Sequence, residues 1–246
     1  MKLRIKFAKS GCMKFIGHLD IMRYFQKAIR RAGIDIAYSE GFSPHQIMSF
    51  AAPLGVGLES EGEYLDIQVH SALSSRQMVE ALNQVMTDGM KVCSVRRLPE
   101  GGKNAMSIVA AADYRLHFFE GCSPEIQQAF REFMAQEELP VLKKTKKSEI
   151  LLNIRPLIYD FQINDKEVFL KLATGSVHNL KPELVMETFF ARTGEMWNSF
   201  ACQICRMELY AWRADVKEPT DADLSKYGQV QADSFISLEE LGDSIE

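Results

Sequence analysis

Lys2-Leu3-Arg4-Ile5-Lys6-Phe7-Ala8, followed after a short loop by His18-Leu19-Asp20-Ile21-Met22-Arg23-Tyr24-Phe25-Gln26-Lys27-Ala28-Ile29-Arg30-Arg31-Ala32-Gly33, decides the fold. Leu3, Ile5 and Phe7 alternate with Lys2, Arg4 and Lys6, the period of two expected of a strand with one buried face. In residues 18–33, Met22, Phe25, Ala28, Ile29 and Ala32 recur at helical spacing, and Gly33 supplies a C-terminal stop. A strand therefore feeds a helix. Working outward, short strands are expected near 35–38 and 46–52. Glu63-Tyr64-Leu65-Asp66-Ile67-Gln68-Val69 alternates again. Ser74 with Gln77 is a capping box opening a helix through Val79, Leu82, Val85 and Met86 to Gly89, and Met90 to Val95 closes the unit.

Residues 98–111 begin Leu-Pro-Glu-Gly-Gly-Lys-Asn and read as a linker. Then the order recurs. Tyr114, Leu116 and Phe118 mark a strand, and Ser123-Pro124-Glu125 caps a helix through Ile126, Ala129, Phe130 and Phe133. Strands follow near 140–144, 149–155, 157–163 and 167–173, a helix opens at Lys181-Pro182-Glu183, and a last strand spans 202–212. The expected class is α+β: two tandem ferredoxin-like (βαββαβ) antiparallel-sheet domains, at 1–98 and 112–213, joined by a linker at 99–111. An acidic, partly mobile C-terminal tail at 214–246 completes the chain, with Phe235, Ile236, Leu238 and Leu241 able to dock as a short helix.

With 46% hydrophobic and 25% charged residues, the 246-residue chain is neither disordered, collagen-like nor a disulfide miniprotein. No apolar stretch approaches the ~20 residues of a membrane span. The start has no apolar signal core, and the five cysteines (12, 93, 122, 202 and 205) form an odd, scattered set. A cytoplasmic protein with reduced thiols is expected. The net charge of -4 hides an asymmetry. Residues 1–34 carry nine Lys or Arg and one acid, whereas 213–246 carry three Lys or Arg and nine acids.

Arg23, Lys27, Arg30 and Arg31 fall on one side of the first helix, and Lys2, Arg4 and Lys6 line one face of the preceding strand. Such concentrated charge suits a polyphosphate, whose binding releases counterions and depends on salt. The bland alternative is a solvated helix face. His18 and Asp20 open the helix, where free N–H groups attract anions; a structural histidine and a dipole-matched acid are the competing readings. Tyr38-Ser39-Glu40-Gly41-Phe42-Ser43-Pro44-His45 makes a tight loop. There Tyr38 or Phe42 would stack on a base and His45 would hydrogen-bond, with Ser43 beside them, or Phe42 would plug the core. Glu59, Glu61 and Glu63 share one face of an extended chain, but nothing fixes a metal site with His18, Asp20 or His45, and none is expected. Cys202 and Cys205 stand alone in a strand, and Lys143 to Lys147 read as a hairpin tip. Nucleophile-elbow, phosphate-loop and dinucleotide motifs are absent, as is the C-x3-C-x2-C spacing of a radical-SAM cluster.

Lys9-Ser10-Gly11, His18-Leu19-Asp20, Arg30-Arg31-Ala32, Tyr38 to His45, Pro53-Leu54-Gly55-Val56-Gly57 and Glu63-Tyr64-Leu65-Asp66 together resemble the bacterial radical-SAM-linked family, a domain of unknown function. The likeness is dense over residues 2–70 and looser beyond. Gly17 stands where the family usually has Ser, Ser43 where it often has Asn, and Gln46 where Pro is common. The resemblance implies a companion of a radical-SAM protein, fused to it or encoded beside it, with gene neighbourhoods that point to RNA or the ribosome. The iron–sulfur cluster and S-adenosylmethionine are then expected on the partner, with no cofactor on this chain.

The leading expectation is an accessory RNA-binding or substrate-recruiting partner of a radical-SAM enzyme acting on tRNA or rRNA, without catalysis of its own. Lys2, Arg4, Lys6, Arg23, Lys27, Arg30 and Arg31 would hold phosphates, and Tyr38, Phe42, Ser43, His45 and Glu63 would shape a pocket. One alternative is an RNA-processing or metal-dependent hydrolase with His18 and His45 as acid and base and Asp20 or Glu63 orienting them. The other is a protein–protein adaptor without RNA.

Overall fold

The computed structural model describes residues 1–144, 149–216, 220, 228 and 230–246. In chain order the first elements are β1 (Lys2–Lys9), α1 (His18–Arg31), β2 (Met48–Phe50), β3 (Glu59–Gln68), α2 (Ser75–Asn83), β4 (Met90–Arg97) and α3 (Ala105–Ile108). There follow β5 (Val109–Phe118), α4 (Pro124–Met134), β6 (Pro140–Lys144), β7 (Glu149–Asn153), β8 (Ile158–Ile163), β9 (Glu167–Ala173), α5 (Pro182–Thr193), β10 (Cys202–Trp212) and β11 (Phe235–Ser237). The fold is mixed α+β with mostly antiparallel pairing. It divides into two units: residues 1–109, 205–211 and 236–246, and residues 110–204 and 212–235.

In the first unit β1 is antiparallel to β3 on one side and β4 on the other, and β2 pairs with β3. The segment of β10 in this unit runs parallel to the start of β3, with Cys205 opposite Glu59 and Arg206 opposite Ser60. Gly62 permits this approach, because a Cβ there would stand 2.5 Å from the Met207 carbonyl oxygen. Leu3, Ile5 and Phe7 of β1 join Leu65 and Ile67 of β3 beneath Phe25 and Ile29 of α1 and Met78 and Leu82 of α2. Each such fully buried side chain contributes about 1.5–3 kcal/mol over exposure. α1 stops at Gly33, whose φ of +69° is the left-handed conformation that glycine adopts freely. At α2 the Ser74 hydroxyl accepts from the Gln77 amide at 3.3 Å, and the Gln77 side chain accepts from the Ser74 amide at 3.2 Å.

The other face of β1 departs from expectation. Its alternating charges read as a solvent face, yet Arg4 is only 1% exposed. The guanidinium donates to both Asp66 carboxylate oxygens at 2.8 and 2.9 Å and to the Leu238 carbonyl at 3.1 Å. Lys6 pairs with Glu208 at 2.7 Å and Glu239 at 3.3 Å. The end of the chain supplies this cover. β11 pairs with β10, Leu238 is fully buried, and a 3-10 turn runs from Leu238 to Leu241. Beyond it Asp243 exchanges backbone hydrogen bonds with Arg97 at 2.7 and 2.9 Å, and Ile245 accepts from the Ser75 amide at 2.9 Å. Residues 236–246 are thus part of the first unit and not a separate tail: Leu238 docks at a short 3-10 turn as its apolar character allows, Ile245 finds an apolar seat, and Glu239 finds both Lys6 and Arg96. The expected linker also contains structure, since Ala105 of α3 is buried and its amide donates to Asp66 at 2.7 Å. Residues 217–219, 221–227 and 229 of the tail lie outside the described residues, as does the 145–148 part of the Lys143–Lys147 run.

In the second unit β9 lies between β5 and β8, all antiparallel, and β6 and β7 form a separate hairpin. Ser123 caps α4, accepting from the Ile126 amide at 3.3 Å with Pro124 in the first turn. Phe130 and Phe133 of α4 meet Phe189 of α5 at ring distances of 5.0 and 5.5 Å.

Candidate functional site

The two faces of α1 have different tasks. Ile21, Phe25, Ala28 and Ile29 are buried, and Arg23, Lys27, Arg30 and Arg31 are exposed. Arg23 pairs with Asp20 at 3.1 Å. Arg30 reaches only the Gln26 carbonyl at 3.4 Å, and Arg31 the Val85 carbonyl at 3.0 Å. Among the described residues Lys27, Arg30 and Arg31 pair with no carboxylate. The stripe thus keeps an unneutralised positive field in water, where an approaching polyanion feels it.

The expected partners of that stripe on β1 do not join it. Arg4 is sealed in its ion pair with Asp66, and Lys6 is half-buried between Glu208 and Glu239, so neither presents a free cation to a phosphate. Burial draws the Lys6 pKa down, but the two carboxylates outweigh it and the net shift is upward. Burial and Glu208 also push Tyr64 up, keeping its hydroxyl a donor to Glu208 at 2.6 Å. Lys2 remains exposed near the Gly102 carbonyl and the Asn104 side chain.

A cleft opens where α1 begins. Lys9, His18 and Glu63 supply its polar groups, and Phe7, Ile16, Ile21, Phe50 and Leu54 most of its apolar wall. It is a small, half-open cleft, with room behind its mouth for about one water-sized group. The His18 ring meets Phe50 edge-on at 5.2 Å. Glu63 is 5% exposed and already satisfied: Arg206 donates to its two oxygens at 2.7 and 2.5 Å, and the Ser60 hydroxyl donates at 2.7 Å. Lys9 is 3% exposed and makes no hydrogen bond or ion pair among the described residues. Burial lowers its pKa, Glu63 opposes that, and Arg206 adds to it.

The expected trio of His18, Asp20 and His45 is not assembled in this cleft. Asp20 is exposed beside Arg23, and His45 shares a 2.8 Å hydrogen bond with Ser39 in the exposed loop. In the expected pocket of Tyr38, Phe42, Ser43, His45 and Glu63, only Glu63 lines the cleft. Phe42 does not plug the core but is fully exposed, Ser43 is exposed, and Tyr38 forms a bridge with Gln46. Glu59 turns instead to the Gly11 amide at 3.1 Å and to Lys14 at 3.7 Å. Among the described residues no group of three His, Cys, Asp or Glu side chains is placed to hold a metal ion. Cys202 and Cys205 are buried thiols in no disulfide, and burial pushes Cys202 up to about 12, the state of an inert thiol. Arg206 is the site residue that motif reading passed over, and Lys9 stands in the family stretch but has no place in the expected pocket. A signal existed for Lys9: it continues the row Leu3, Ile5, Phe7, so a lysine occupies a place that the pattern reserves for the core.

A mixed α+β protein with one unneutralised basic helix and a lysine-containing cleft at its start is the class these features define. The chain belongs to the bacterial family described as "Uncharacterized protein conserved in bacteria (DUF2344)", whose model matches residues 2–182. No curated protein matches it. Among solved structures, a chain of the crystal structure of a Cbf5-Nop10-Gar1 complex is similar at 10% identity with a TM-score of 0.43. That match covers 84% of this chain and 48% of the other, so this chain spans about half of that chain's length. A likeness of this size carries no functional weight.

Proposed function

We propose that this protein is an accessory RNA-binding partner of a radical-SAM modification enzyme, acting in the cytoplasm on tRNA or rRNA. The observation that carries the RNA part is the stripe of Lys27, Arg30 and Arg31, exposed and without carboxylate partners among the described residues. Exposed Tyr38 and Phe42 offer rings for stacking on unpaired bases. The radical-SAM part rests on the resemblance of residues 2–70, and in this reading the partner holds the cluster and S-adenosylmethionine. Each unit is read as ferredoxin-like. In the first this is supported by the strand order β4-β1-β3-β2 with α1 and α2 packed on one face, in the second by the order β5-β9-β8.

Fluorescence anisotropy with fragmented cellular RNA tests the stripe on the full chain. Binding is expected to weaken with salt, by about 0.7 in log–log slope per single-strand phosphate contacted. Lys27→Glu with Arg30→Glu should weaken binding and flatten that slope by the equivalent of about two contacts. Unchanged binding in the double variant, or no binding by the parent at low salt, would overturn the RNA reading.

A second reading, a protein adaptor, is favoured by exposed Phe15, Leu19 and Val56. Co-purification of the radical-SAM protein after nuclease treatment, with no RNA retained, would support it.

A further inference from the structure

We propose that the cleft at the start of α1 is a binding site for a small oxyanion, the carboxylate or phosphoryl end of a molecule whose remainder stays at the open mouth, with Lys9 as its main cation. This does not rest on the RNA reading, since the site is a separate feature from the stripe on α1.

Three independent features converge there. The first is Lys9 itself, a residue 3% exposed that lines the cleft and whose amine makes no hydrogen bond or ion pair among the described residues. A core position keeps an unpaired amine at a cost to stability, and a bound counter-ion removes that cost. The second is that the one acid lining the cleft is already taken. Both Glu63 oxygens receive Arg206, and one also receives Ser60. The charges of Glu63 and Arg206 cancel, so Lys9, when protonated, gives the cleft an excess positive charge that an incoming anion balances. The third is the helix. Gly17 caps α1 without a side chain, and the His18 and Leu19 amides bond nothing among the described residues. Free amides at the positive end of a 14-residue helix seek acceptors, and of their residues His18 lines the cleft together with Lys9. The apolar wall of Phe7, Ile16, Phe50 and Leu54 leaves Lys9 and His18 as the groups an entering anion meets, and the space admits only its charged end.

The test uses the full chain and two probes in separate titrations, inorganic phosphate and propionate, followed through the backbone amide resonances of His18 and Leu19. At least one probe is expected to move those resonances to saturation, and which one does so distinguishes a phosphoryl from a carboxylate ligand. Lys9→Met, matched in length and apolar, should weaken that binding about tenfold or more, with a melting temperature equal to or above the parent's. Lys27→Met should leave it unchanged, separating the cleft from the basic stripe. Absence of saturation with both probes in the parent overturns the proposal whether or not the Lys9 variant folds. So does a Lys9→Met protein that binds as the parent does.

Discussion

β1 and α1 are neighbours in sequence and equally basic, but their charges have opposite fates. On β1, Arg4 and Lys6 lie under the end of the chain, each matched to a carboxylate. On α1, Lys27, Arg30 and Arg31 stay in water with no carboxylate among the described residues. A count of basic residues treats the two alike. What separates them is cover, and cover is set by residues 62 to 234 positions away: Asp66, Glu208 and Leu238. The lesson is that a basic stripe becomes a candidate binding surface only after its long-range partners are known.

Breaking the β1 side should cost the most. Arg4→Ala strands a buried Asp66, and a loss of about 3–5 kcal/mol is expected in urea unfolding. A loss under about 1 kcal/mol would mean that the pair is not sealed as described. Next, Leu238→Ala empties a fully buried seat and should cost about 2–5 kcal/mol, whereas a free tail would leave stability unchanged.

Lys6 and Lys9 sharpen the contrast within one strand. The folded-state pKa of Lys6 is raised, so its stabilisation is present below the ordinary 10.5 and is lost as pH rises through the higher folded value. The folded-state pKa of Lys9 is lowered, so its charge opposes folding at neutral pH, and that penalty disappears as pH rises toward 10.5. Lys6→Met should therefore destabilise the protein at pH 7, and Lys9→Met should stabilise it, with the gain vanishing in alkali. Thermal melts across pH 7–11 check both signs. The smallest effect belongs to the helix: Lys27→Glu with Arg30→Glu should cost about 1 kcal/mol or less, because both side chains are exposed and the main loss is the match of Arg30 to the C-terminal end of the helix.

The elements were legible because local signals mark them. Period-two runs gave β1 and β3, helical spacing gave α1, and Gly33 and the Ser74 capping box gave helix ends. The covered face of β1 was not, since alternating charge is the same pattern whether water or a distant carboxylate faces it. The acids of residues 239–243 suggested a partly mobile tail; docking around Leu238 was legible from its apolar neighbours, but the seat of Ile245 and the pairing of Glu239 with Lys6 and Arg96 were not. The candidate site was half legible. His18 and Glu63 drew notice as chemistry-bearing types, but His45 and Asp20 satisfied local partners instead. Lys9 required seeing a charge in phase with a core row, and Arg206 required knowing that β10 lies beside β3.

The most direct test is a lysine acetylation footprint of the folded protein, free and with RNA, read at Lys27 and Lys6 in the same sample. Lys27 should react freely alone and be protected by RNA, while Lys6 should react weakly in both states. Lys27 unprotected by saturating RNA, or RNA protection confined to the β1 lysines, would contradict the division of labour between the two basic regions.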